Sequence, residues 1–250
     1  METFKVTFIN EIERMYKKKK AVVIIIISLV VIVLGQLLIT GIRSGFGLRG
    51  ASSTEFPVLV LSVFVNTVLP LFTALVSIDI FAGEFSHNTM KIALLKPVTR
   101  FKLFTAKVCA VAFFVLANLL LVMILSTLTG LIFNSSSATV VGFLRIIISY
   151  LVTMIPVMVL AMMIILLSNI LRSSAAIFFL VIVLFLLSKA LGFIFPQYSS
   201  LLITTMLDWY NLWNVAAIPV AKILRQLLIM LGYGIMFFTA GYYLFDKKEL

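Results

Sequence analysis

The sequence predicts an all-α membrane protein of six transmembrane helices. Three observations carry this. The chain is 63% hydrophobic and 12% charged, whereas soluble domains are about half apolar and a quarter charged. Six apolar runs are each long enough to cross a bilayer, which takes about twenty residues at 1.5 Å rise. Most of the 20 Lys and Arg residues also gather on alternate loops, the bias of basic residues towards the cytoplasmic leaflet.

Residues 1–20 form the first unit. Phe4, Phe8, Ile12 and Met15 recur at helical spacing, with Lys5, Glu11 and Arg14 on other sides. This is the pattern of an amphipathic helix lying in the membrane interface; the alternative is a charged tail. The basic run Lys17–Lys20 abuts the first apolar stretch, and Ala21 to Thr40 is too long for the core of a cleaved signal.

Residues 21–250 form the six-span unit, with spans at about 21–40, 57–81, 103–130, 146–168, 175–195 and 223–245. With the amino terminus inside, an even count returns the carboxyl terminus to the cytoplasm. Lys91, Lys96, Arg100, Lys102 and Lys107 are then read as charges of a cytoplasmic loop. Residues 196–222 are apolar but broken by Asp208, Asn211, Asn214 and Pro219. They read as short external re-entrant helices with Trp209, Tyr210 and Trp213 at headgroup depth, or as a seventh span.

Polar residues inside the spans are scarce, and each needs a partner. Asn66 and Asn118 fall near the middles of their spans. They are candidates for lining a substrate route, the plainer reading being interhelical hydrogen bonds. Met154 and Met158 continue to Met162 at four-residue spacing, either as packing or as an adaptable wall for apolar cargo.

Several functions are excluded. Cys109 and His87 are the sole residues of their kinds, so no disulfide and no zinc site of several Cys or His ligands can form within one chain. Gly45-Phe-Gly47-Leu-Arg-Gly50 follows a membrane span and not a β-strand, so it lacks the context of a dinucleotide loop. No phosphate-binding Walker loop occurs. Nothing in the pattern is enzymatic, and the placement of the charges beside spans excludes nucleic acid as a partner.

The most informative stretch runs from Asp79 to Lys102, the long polar interruption between the second and third spans. It orders Asp79, Glu84, Thr89, Lys91, the Leu94-Leu95 pair and Pro97-Val-Thr-Arg100, then Lys102. Read as a helix, it sets Phe81, Phe85, Ile92 and Leu95 on one face, and Pro97 ends it.

That order resembles the signature of type-2 ATP-binding-cassette (ABC) transporter permeases. The resemblance implies an interfacial helix before the first span, a cytoplasmic coupling helix at Ala82–Lys96 and external re-entrant helices before the sixth span. It implies a dimer of permease chains, identical or not, on two copies of an ABC ATPase, in the plasma membrane with both termini cytoplasmic. ATP and Mg would be bound by that partner, with no cofactor in this chain. Asp79, Glu84, Thr89, Lys91, Leu95, Pro97 and Arg100 would then couple to the ATPase. Short-looped members of that family commonly export peptides, antibiotics or other amphipathic compounds, which the resemblance implies here, with polysaccharide or lipid-linked glycan export as the alternative. A secondary transporter and a non-transporting scaffold also stay open.

Overall fold

The computed structural model describes residues 2–17, 19–46, 52–86, 99–134, 139–171, 173–215 and 217–247. Nine α-helices run through these residues: α1 (Glu2–Tyr16), α2 (Lys19–Phe46), α3 (Glu55–Asn66), α4 (Val68–Ser86), α5 (Arg100–Phe133), α6 (Val140–Ile170), α7 (Ser174–Ile194), α8 (Ile203–Met206) and α9 (Val220–Lys247). Two 3-10 turns, Pro196–Leu201 and Trp209–Trp213, flank α8, and there is no strand among the described residues. Five helices are long and apolar enough to cross a membrane, and six spans result when α3 and α4 count as one. The fold is the all-α membrane bundle that the composition predicts.

Side-chain caps start three of the long helices. Thr99, Thr139 and Ser173 each accept a hydrogen bond from the backbone N–H three residues on, satisfying one of the free donors of a first turn.

Helix α6 is the centre of the bundle, packed against α3, α4, α5, α7, α8 and α9. Its buried face carries Ser149, Thr153, Pro156, Val157, Ala161 and Ile164. Small side chains let neighbouring backbones approach closely where hydrophobic transfer gives no drive for association. Helices α2, α7 and α9 expose most of their apolar surface, including Leu38, Phe179 and Leu228.

The second span is not one straight helix. Helices α3 and α4 meet at Thr67 with a bend of 44°, and Pro70 explains it. A proline has no N–H and its ring crowds the carbonyl four residues back, here that of Asn66. Side chains at the break turn back on the preceding turn: the Asn66 amide donates to Ser62 O at 3.0 Å and the Thr67 hydroxyl to Val63 O at 2.6 Å.

Two of the expected elements pack closely on the bundle. Helix α1 packs on α5, with Thr7, Glu11 and Met15 forming its most buried stripe; Glu11 faces the bundle. Trp209 and Tyr210 lie inside the protein rather than at its lipid surface. Trp209 packs with Met206, Val159, Ile223 and Met230, because an indole contributes more packing area than any other side chain.

Candidate functional site

The polar residues of the bundle gather at two ends. At the first, α4 runs into residues 87–98 and α5 leads away from them. Of the sequence-predicted coupling residues, Thr89, Lys91, Leu95 and Pro97 lie outside the described residues. Glu84 falls in the last turn of α4, so Ala82–Ser86 continues the second span and does not begin a separate helix. Asp79 is half-buried one turn earlier. Arg100 donates a hydrogen bond to the backbone carbonyl of Asp246, which ties the start of α5 to the end of α9.

Between these anchors lies an aromatic box. Phe104 is fully buried, with ring centroids 5.5 Å from Phe81, 5.4 Å from Phe245, 5.3 Å from Phe238 and 5.7 Å from Tyr242. Edge-on and tilted packing of this kind suits the quadrupoles of the rings. Phe81 is therefore core, packed on the spans. Both flanks of residues 87–98 are fastened to one rigid cluster of α4, α5 and α9.

Sequence reasoning missed a second feature here. Lys107, expected as a loop charge, is fully buried. Its ammonium lies 3.1 Å from Glu11 Oε1 and donates to Ile80 O at 3.2 Å. The available signal was the i, i+4 spacing of Thr7, Glu11 and Met15, which puts Glu11 on a packed stripe.

At the opposite end, Asn66 organises a charged triad. Its amide donates to Asp208 Oδ1 at 2.8 Å, its carbonyl accepts from Lys189, and Lys189 lies 3.9 Å from Asp208. Asn66 stands at the carboxyl end of α3, where free carbonyls favour a nearby cation such as Lys189. Burial raises the pKa of the neighbouring Tyr210; a hydrogen bond to Ser62 lowers it and the charge of Asp208 raises it further. Further bonds fasten the short-helix segment to the spans. Asn214 donates to Ser149 Oγ at 2.9 Å, Ser188 and Thr204 hydroxyls meet at 2.8 Å, and Tyr233 donates to Leu201 O at 3.1 Å.

Below the triad an apolar groove of about 360 Å³ runs between α4, α6 and α7, lined by Asn66, Pro70, Leu71, Met163, Ile182 and Phe185 among others. A second hollow of about 310 Å³ shares Leu160, Met163 and Phe185 with it and reaches Ser188 and Thr204. Of the four route candidates, Asn66 lines the groove. Asn118 is buried and donates to Phe114 O of its own helix at 2.7 Å. Met154 and Met158 pack against the main core. The bend lies at the rim of the groove, since Asn66, Thr67 and Pro70 line it, and Pro70 signals that bend in the sequence.

No group of acidic, His and Cys side chains among the described residues could hold a metal. A bundle of apolar helices long enough to cross a membrane defines the class: a multi-pass membrane protein. The chain belongs to the ABC-2 family of transporter proteins, whose family model matches residues 11–189. A stretch of 63 residues is also 41% identical to "Uncharacterized protein YhcI" of Bacillus subtilis (strain 168), covering 25% of this chain and 20% of that protein. The matched part thus spans about a fifth of that relative's length.

Proposed function

We propose that the chain is the membrane-spanning subunit of an ATP-driven exporter that expels peptides, antibiotics or other amphipathic compounds. Two permease chains would pair with two ATPase subunits, which bind ATP and Mg, in a plasma membrane with both termini cytoplasmic. The Glu84–Arg100 segment would dock on the ATPase, with Asp79, Glu84 and Arg100 fixing its angle. The aromatic box supports this reading, because a push on residues 87–98 reaches α4, α5 and α9 together.

The apolar groove capped by the Asn66–Lys189–Asp208 triad is the observation that carries the substrate class. An amphipathic molecule needs an apolar trough with a charged end, whereas a glycan needs walls of hydrogen-bonding groups. The lining here is apolar apart from Asn66 and Thr67, which sets amphipathic cargo ahead of glycans. Copurification of an ATPase subunit, followed by ATP hydrolysis in lipid with graded doses of a cationic peptide, a lantibiotic-like amphiphile and a soluble oligosaccharide, tests it. Stimulation by the amphiphiles alone is expected; stimulation by the oligosaccharide alone would reverse the assignment.

A further inference from the structure

Lys107 is a fully buried cation on the third span that touches three elements at once: its own helix α5, Glu11 on α1 and the Ile80 carbonyl on α4. Ile80 lies in the final turns of α4, just before residues 87–98. Glu11 is itself buried, and its second carboxylate oxygen has no hydrogen-bond partner among the described residues. Around this pair the contact is apolar and aromatic, with Phe8 and Tyr16 of α1 each set edge-on to Phe113 of α5 at 6.4 Å.

Apolar packing alone would hold α1 on α5 while tolerating a slide along it. A buried ion pair does not tolerate one. Separation of its partners leaves a charge in a low-dielectric interior, one of the most destabilising events available to a fold. Buried pairs of this kind are best known for fixing register between elements. The Ile80 bond extends that register to α4.

We propose that Lys107 is a positioning residue of the transport cycle, which locks the amino-terminal helix to the start of α5 and the end of the second span so that they move as one body. Helix α1 is on this view a working arm of the permease and not a passive raft on the membrane surface. The inference rests on the ATP-driven reading above, and its test separates the two.

The test uses the complex with its ATPase in lipid nanodiscs, on a Cys109→Ser background. One spin-label pair joins Asn10→Cys, exposed on α1, to Tyr198→Cys on the short-helix segment. A second joins Lys102→Cys, exposed at the start of α5, to the same reference. Pulsed-EPR distances are read without nucleotide and with trapped ATP. With Lys107 intact, both distances shift. With Lys107→Met, the Lys102 distance still shifts while the Asn10 distance stays fixed, and transport per ATP falls about tenfold, within the span of ordinary coupling between sites. The charge swap Glu11→Lys with Lys107→Glu rebuilds the α1–α5 pair and restores the Asn10 shift, although a carboxylate at 107 cannot donate to Ile80 O. Should Lys107→Met fail to assemble, the double variant Glu11→Gln with Lys107→Met leaves no stranded charge and takes its place. An Asn10 shift that persists in the Lys107→Met variant or in the double variant overturns the proposal alone. So does an Asn10 distance that never shifts in the parent while Lys102 does. No shift at either position in the parent overturns the ATP-driven reading and this proposal together.

Discussion

Truncating Phe104 to Ala tests whether the aromatic box is the rigid anchor of the segment between α4 and α5. Phe104 is fully buried and meets four other rings within 5.7 Å. Aromatic pairs contribute about 0.5–1.5 kcal/mol each beyond area burial, and Phe→Ala in a packed core costs about 3–5 kcal/mol. In a bilayer the hydrophobic transfer term is largely absent, because lipid tails are as apolar as the core. The loss is then of packing alone, and we expect about 2–4 kcal/mol. Phe101 is the internal control. It is 49% exposed and meets two of the same rings, Phe238 and Tyr242, so Phe101→Ala should cost below about 1 kcal/mol. Unfolding in mixed micelles by graded SDS, followed by the emission of Trp209 and Trp213, gives both values. Equal costs for the two variants, or a Phe104→Ala cost under about 0.5 kcal/mol, would refute the anchor.

Pro70→Ala returns an N–H to the Asn66 carbonyl and should straighten the second span. Spin labels at the exposed Leu59 and Leu71 would then lie farther apart, and an unchanged distance would assign the bend to Asn66 and Thr67 instead. Gly142→Val should abolish a monodisperse product, because a Cβ there would sit 2.6 Å from the Thr54 methyl, whereas Gly232→Val meets open space. Thr54→Gly should recover the first variant in part; loss of product in both glycine variants would point to lipid-face effects. On a Cys109→Ser background, an impermeant thiol reagent applied to intact cells should label Ser200→Cys and spare Asn88→Cys. Labelling at Asn88 would invert the topology.

Spanning helices were legible because twenty apolar residues in a row admit few alternatives, and Lys17–Lys20 marked where the first begins. The break at Thr67 was missed because hydropathy averages over a window and does not register one absent N–H at Pro70. Lys107 and Glu11 were read as surface charges, since each is flanked by other charges in sequence. Their burial depends on α1 folding back onto α5, a contact separated by 96 residues that no local pattern encodes. Trp209 and Tyr210 carry the composition of a membrane-interface belt, yet tertiary packing against α6 and α9 decides where they sit. Asn66 was found on the sound ground that a mid-span amide needs partners. Its partners Lys189 and Asp208, 123 and 142 residues away, became visible only in three dimensions.

The central claim is that this permease is driven by an ATPase through the residues flanking 87–98. Transport and ATP hydrolysis measured on one reconstituted complex test it most directly, comparing the parent with Glu84→Lys and Arg100→Glu. Both variants should insert and assemble normally while transport collapses and substrate-stimulated hydrolysis falls with it. Transport at the parent rate in both would contradict the account.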